Sequence, residues 1–177
     1  MTNKNFTPFP ILTTERLTLR QLSTDDRQSI FALRSDEEIN RYLNRQVAGS
    51  VEDAIKFINM INENIKTNNS IYWAITLTGT GTFVGTICLF DFSNENSSCE
   101  IGYELMTKFQ GRGIMKEAAE KVIEYAFQTL QFKKIVAFTH DDNQNSTKLL
   151  ARFNFIKSVK ENAGVNIYTL TYLNWQR

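Results

Sequence analysis

The residues best suited to chemistry cluster between Glu100 and Lys116. The stretch from Lys108 to Lys116 reads KFQGRGIMK. Gly111 and Gly113 flank Arg112, and three cations, Lys108, Arg112 and Lys116, fall within nine residues. This pattern suits anion binding. Glycine lets a backbone N–H approach a ligand with no Cβ in the way. A helix that begins at once offers unpaired first-turn N–H groups and a partial positive charge. Together these form a cradle for phosphate oxygens. The stretch is not a P-loop, which ends in Gly-Lys-Ser/Thr. It is not the dinucleotide fingerprint either, because Lys116 stands where the third glycine belongs. A plain glycine-flanked turn with a solvated helix end is the competing reading.

Upstream, Glu100 lies on a strand leading to the cradle, with Gly102 and Glu104 as its alternation partners. A carboxylate there could take a proton from an amine, or simply pair across strands. His140 is the only histidine, beside Asp141 and Asp142 at a strand end. It reads as an ordinary, partly exposed residue. Tyr42, Trp73, Phe90, Phe92 and Tyr103 are candidates either for an acceptor pocket or for core. Cys88 and Cys99 are too few for a disulfide framework or a zinc site, so they read as reduced, buried thiols and no metal is expected.

The surrounding pattern must position these groups. Leu17 and Leu19 alternate with Thr18 and Arg20, as in a half-buried strand. Ser23 or Thr24 can cap a helix to about Arg34, and Ile39, Tyr42 and Leu43 suggest a short second piece. Ser50 opens a third helix, with Ala54, Phe57, Ile58, Ile61 and Ile65 at helical spacing. Three strands follow, Ile71 to Thr78, Phe83 to Phe92 and Cys99 to Met106, joined by hairpin-like turns. A long helix is expected from Gly113 to Leu130, striped by Ala118, Ala119, Val122, Ile123, Ala126 and Phe127. Then come a central strand from Lys134 to His140, a helix from Gln144 to Phe153, and two strands, Phe155 to Lys160 and Val165 to Tyr172, turning around Asn162 to Gly164. The sum is a three-layer α/β domain of the α+β type. Its sheet is mixed, mostly antiparallel and seven-stranded, with helices on both faces.

The chain has 177 residues, which suits one domain spanning 1–177. Twenty Lys and Arg against nineteen Asp and Glu leave a net charge of +1, which excludes a strongly basic nucleic-acid coat. No nucleic-acid or membrane partner is expected. No run of eighteen apolar residues occurs, and the start is too polar for a secretory signal, so a cytoplasmic location is expected. The final strand, ending near Leu173 and Trp175, could be an edge open to a second subunit. Monomer and homodimer both remain open.

The cradle resembles the pyrophosphate-binding motif of GNAT-superfamily N-acetyltransferases, Gln/Arg-x-x-Gly-x-Gly/Ala. Lys108 takes the first position, and Gly111 and Gly113 match. Ile114 to Ala118, IMKEA, looks like the family's continuation. EIGYEL before it, TERLTLR from Thr14 to Arg20, and DNQNSTKLLARFNF from Asp142 to Phe155 resemble the ribosomal-protein N-terminal alanine acetyltransferase-like branch. The resemblance covers nearly the whole chain. It implies acetyl-CoA as donor and direct transfer to a primary amine through a tetrahedral intermediate. The acceptor would be a protein or peptide N-terminus or a small amine.

The resemblance also implies roles. Gln110, Gly111, Arg112, Gly113, Ile114, Met115 and Lys116 would hold the pyrophosphate, with Lys108 beside them. The pantetheine arm would lie in a split between the strand after Cys99 and that after Lys134, pairing with the backbone of Leu105, Met106 and Thr107. A bulge near there would open the split. Glu100 is the candidate base. Many family members place a tyrosine acid seven residues after the helix-leading Asn. Here that Asn is Asn143, and Leu150 occupies the tyrosine's position. The branch carries a serine three residues after the Asn instead, and Ser146 matches. Asn143 could cap its helix, bond the pantetheine, or do both. Asn154 stands where the family has Gly and is suited to the left-handed conformation. Two other readings compete: a non-catalytic acyl-CoA-binding regulatory module, and a nucleotide-phosphate binder using the same turn.

Overall fold

The structure, a computed structural model, describes residues 4–160 and 164–176. One eight-stranded sheet organises the chain. Its strands are β1 (Leu12–Thr13), β2 (Leu17–Gln21), β3 (Ile71–Leu77), β4 (Phe83–Ser93), β5 (Ser98–Leu105), β6 (Lys134–His140), β7 (Ile156–Lys160) and β8 (Val165–Thr171). They lie in the order β1-β2-β3-β4-β5-β6-β8-β7, and only β5 and β6 run parallel. The strand beyond the seven expected is β1, whose two residues are too short to show alternation.

The helices form where caps and apolar spacing agree. Ser23 caps a short 3-10 turn, Thr24–Asp26, in a reciprocal capping box with Asp26, and α1 (Arg27–Ser35) follows. After α2 (Glu37–Asn40), the Ser50 side chain accepts from Asp53 N (3.2 Å) to start α3 (Val51–Lys66). Ala54, Ile58, Ile61 and Ile65 turn its buried stripe to the sheet. α4 (Ile114–Glu124) ends six residues before the expected helix end, passing into a π turn, Tyr125–Thr129. α5 spans Gln144–Arg152, and Asn154 after it has φ +61°, the left-handed conformation expected there. The expected turn at Asn162 lies outside the described residues.

Two neighbours in β3 show the layering. Adjacent strand residues point to opposite faces. Phe57 of α3 packs edge-on against Tyr72 (5.7 Å), while Tyr125 after α4 packs edge-on against Trp73 (5.7 Å). Thus α3 and α4 cover opposite faces. Trp73 is fully buried in the core and donates to Pro10 O (2.8 Å), and Phe92, partly buried, packs against the core between Phe6 and Phe132.

The C-terminal expectation needs correction. β8 is an inner strand, flanked by β6 and β7, and the chain then turns into α6 (Tyr172–Trp175). Tyr172 and Trp175 pack on Phe127. Leu173 and Trp175 therefore form no strand edge for a second subunit.

The sheet is split in its middle. β5 and β6 pair only at Ser98 with Lys134, Cys99 with Ile135 and Glu100 with Val136. Beyond Glu100, β5 stays on β4 as far as Leu105, and β6 stays on β8 as far as His140. Sheet twist then carries the two halves apart. No bulge opens the gap at Leu105: the β4–β5 register runs unbroken from Gly85–Leu105 to Phe90–Glu100, and its irregularity lies between Phe90 and Ser93. Gly85 permits the close fit, because a Cβ there would sit 2.3 Å from Glu104 O.

The N-terminal segment is tied to the start of α4 by Glu117. Its carboxylate accepts from Thr14 Oγ1 (2.5 Å), Arg16 N (2.9 Å) and Arg16 Nε (2.6 Å). Partial burial pushes this carboxyl up, but the Thr14 and Arg16 bonds outweigh it and hold it below its ordinary value. A depressed carboxyl stabilises the fold above its unfolded value, and that stability is lost as pH falls through the folded value. Glu117→Gln is therefore expected to lower Tm at pH 7 by roughly 2–6 °C. The gap to wild type should close as pH is lowered below about 4.3. Thermal melts across pH check this; a gap that persists unchanged in acid would remove the ionic account.

Candidate active site

Two cavities occupy the split and meet inside it. One, of about 370 Å³, is lined by Leu105, Gln110, Gly111, Gly113, Ile114, Met115, Lys116, Asn143 and Ser146. The other, of about 310 Å³, is lined by Glu100, Gly102, Cys88, Phe90, Arg34, Arg45 and Phe138, among others. Tyr42, Leu43, Tyr103, Glu104, Asn143 and Ser146 face both.

The first cavity holds the glycine cradle. Gly111 and Gly113 have φ of +73° and +75°, the region that favours glycine. Nothing lies within 4 Å of where a Gly111 Cβ would stand, so the backbone there is open to a ligand. The first α4 amide with a helical acceptor is that of Glu117, on Gly113 O (3.1 Å). Among the described residues, no hydrogen bond engages the amides from Gly111 to Lys116. Such a run of free N–H groups, with Lys116 in the wall, fits a pyrophosphate. Lys108 and Arg112 lie outside this cavity, both beside the Phe109 ring (5.2 and 5.9 Å).

Arg16 shapes the turn, a role that the sequence pattern did not signal. Its Nη1 donates to Arg112 O (3.2 Å), while its Nε holds Glu117. The TERLTLR segment reads as a half-buried strand and resembles the branch's opening strand, and neither reading marks Arg16.

The edge of β5 presents selected backbone groups to the split. Met106 N donates to Val84 O (2.9 Å), so it faces β4 and is not free for a ligand. By strand alternation, Leu105 N–H and C=O face the gap. Gln110 Nε2 occupies Leu105 O (3.1 Å), and Asn145 Nδ2 reaches Gln110 Oε1 (3.4 Å) from α5. Of the three residues expected to pair with a pantetheine, only Leu105 lines the cavity; Met106 and Thr107 do not.

Where the cavities meet, Tyr103 Oη and Ser146 Oγ are hydrogen-bonded at 2.8 Å. Burial pushes the Tyr103 phenol up to about 12, against the Ser146 bond, which lowers it. Asn143 caps α5, accepting from Ser146 N (3.2 Å). Its side-chain NH₂ donates to nothing among the described residues and stays available to a ligand.

Glu100 stands at the apex of the split, as the last β5 residue opposite β6. Burial, with Asp91 adding repulsion, raises its carboxyl to about 7. Such a group exchanges protons near neutrality. Glu104 is paired, with a partner outside the sheet and not across strands. Arg45 grips it with two bonds, Nη1–Oε1 2.5 Å and Nη2–Oε2 2.8 Å, and Arg45 Nε donates to Asn40 Oδ1 (2.6 Å). His140 lines the second cavity, stacked on Tyr42 (5.9 Å), and its Nδ1 accepts from Asp142 N (3.2 Å). Cys88 and Cys99 are free thiols raised by burial. Among the described residues, no group of three or more metal-ligating side chains forms a metal site.

The chain is similar to known proteins over most of its length. Residues 16–156 match the family described as an acetyltransferase (GNAT) domain. The N-acetyltransferase YoaA of Bacillus subtilis (strain 168), itself uncharacterized, is 34% identical over 149 residues, covering 84% of each chain. The ribosomal protein uS5-alanine N-acetyltransferase of Escherichia coli (strain K12) is 32% identical over 104 residues, 56% of this chain and 52% of its own. A solved structure of RimL, a ribosomal L7/L12 alpha-N-protein acetyltransferase in complex with coenzyme A, superposes with a TM-score of 0.81. It shares 19% identity and covers 92% of this chain and 98% of its own. With a free-amide cradle, a split sheet and a family match over most of its length, the chain belongs to the GNAT acetyltransferase family.

Proposed function

We propose that this chain is a single-domain, cytoplasmic N-acetyltransferase that moves the acetyl group of acetyl-CoA directly to a primary amine. The acceptor is a protein or peptide N-terminus or a small amine, and the ribosomal-protein acetyltransferases among its relatives favour the N-terminus. The observation that carries the reading is the meeting of two cavities at Tyr103 and Ser146. One is floored by free amides and the other is headed by Glu100.

Each residue then has a task. The amides from Gly111 to Lys116 and the Lys116 ammonium hold the pyrophosphate. Leu105 N–H pairs with the pantetheine arm or the thioester oxygen, and Gln110 must release Leu105 O if the arm bonds there too. Asn143 Nδ2 can donate to the arm while its Oδ1 keeps the α5 cap. As a carboxylate, Glu100 takes a proton from the acceptor nitrogen, either from an incoming ammonium before attack or from an already neutral amine as it adds to the thioester carbon. An α-amine, with a pKa of about 7.7–8.0, is well matched to a base titrating near 7. The tetrahedral intermediate collapses to the amide as its C–S bond breaks; the nitrogen sheds its excess proton, and the thiolate takes up a proton so that CoA leaves as the thiol. The departing sulfur receives a hydrogen bond from Ser146, polarised by Tyr103 behind it.

Acetyl-CoA at about 100 times its Kd should raise Tm by roughly 5–10 °C. No rise at millimolar ligand would remove the cradle argument and most of the case for transfer. Glu100→Gln should lower kcat by about 10²–10³-fold. With a weakly basic amine that stays neutral throughout, wild-type kcat/KM should rise with pH through about 7, and the variant should lose this limb. Turnover by the variant at the wild-type rate would sink the base assignment. Ser146→Ala, read by thiol release, should be slower by roughly tenfold, the loss of one hydrogen bond.

A further inference from the structure

The acceptor cavity carries a cation whose N–H donors are unused among the described residues. Arg34, near the end of α1, lines this cavity with its guanidinium 3.9 Å from the centre of the Phe57 ring. It is half-buried, yet among the described residues its guanidinium donates no hydrogen bond. Its neighbours do not neutralise it. Glu104 attracts it, but both oxygens of that carboxylate are held by Arg45. Burial, and then repulsion from Arg45, push the Arg34 guanidinium down from its ordinary value. Two guanidinium groups thus share Glu104, and Arg34 is left without a carboxylate bonded to it among the described residues. Cation–π contact with Phe57 holds the planar fork in place without using its N–H edge. A fixed fork with free donors matches a carboxylate in bidentate geometry.

We propose that Arg34 selects the acceptor by binding a carboxylate that the acceptor carries. The acceptor amine is then part of a zwitterionic or acidic molecule: a free amino acid through its α-carboxylate, or a peptide with an acidic residue near its N-terminus. This rests on the amine-acetylation reading and narrows its substrate class. The cavity, at about 310 Å³, has room for such a group between Arg34 and Glu100, which line the same walls.

The test measures binding apart from turnover. Calorimetry on the CoA-saturated protein compares alanine with alaninamide, and the C-terminally amidated peptide Ala-Asp with its Ala-Asn counterpart. Wild type is expected to bind the carboxylate-bearing member of one pair roughly tenfold or more tightly. The pair that discriminates tells an α-carboxylate from an acidic side chain. Arg34→Gln should bring that ratio to about one, with its fold verified by circular dichroism. Arg34→Lys, which keeps the charge and loses the fork, should retain part of the preference and serves if Arg34→Gln does not fold. Equal or inverse preference in wild type, or an undiminished preference in the variants, overturns the assignment. Acetyl transfer to the same four compounds is scored separately, so a protein that binds carboxylates without acetylating them refutes the enzymatic reading alone.

Discussion

Everything at the site depends on three residue pairs. β5 and β6 are neighbours only at Ser98–Lys134, Cys99–Ile135 and Glu100–Val136. Were the parallel ladder to continue, Leu105 N–H would be consumed by β6 and no cavity would exist. Instead each strand is held by its antiparallel neighbour, β5 by β4 and β6 by β8, and those pairings run the whole length of the gap. The split is therefore a stable feature of the fold, made by two well-formed half-sheets that diverge. It leaves backbone donors and acceptors facing a cavity, where an extended amide-bearing arm can satisfy them as an added strand would.

The same geometry explains the electrostatics. Glu100 lies at the apex, where the two halves still touch, so it is partly desolvated and its carboxyl rises to about 7. Glu104, four residues along the same face, would face a similar cost, but Arg45 meets it with two charge-assisted bonds. One strand face thus presents two carboxylates with different properties, separated by Gly102. A glycine fits closely between them: a Cβ there would stand 3.1 Å from Cys88 Sγ and 3.3 Å from the Phe90 ring, so those side chains would have to give by a few tenths of an ångström. The contrast between a paired and an unpaired carboxylate arises from partners in other elements, since the two residues have the same chemistry.

Local features of the site were legible in the sequence, and long-range ones were not. The Gly111–Gly113 turn and the strand ending near it are each written within a few residues, so spacing locates them, and Asn143 stands out by the family resemblance. The sheet, with helices on both faces, follows from alternation and helical periodicity. The Arg45–Glu104 bond spans 59 positions, and nothing in either neighbourhood announces it. The same holds for Arg16 reaching Arg112 and for Tyr103 meeting Ser146. Backbone direction was equally hidden: whether Met106 or Leu105 faces the gap depends on which registers with β4. The C-terminal run IYTLTYL gave no local signal for where the strand stops. Thr171 stops it by accepting from Asn174 N (3.3 Å) and capping α6.

The cradle itself shows why glycine spacing needs a tertiary partner. Two glycines in the left-handed region lose much conformational entropy on folding, so a free loop of this composition would sample many shapes. Here the loop is pinned at both ends. Gln110 anchors it to Leu105 O on β5, and Arg16 binds the Arg112 carbonyl at its crest while Glu117 binds Arg16. The anchors engage carbonyls and side chains and leave the amides from Gly111 to Lys116 unspent. An anion that binds them meets donors already aligned, and the ordering cost falls on folding instead of on binding. The N-terminal segment thus braces the turn directly, through Arg16 on the Arg112 carbonyl, and spends none of the turn's amides in doing so.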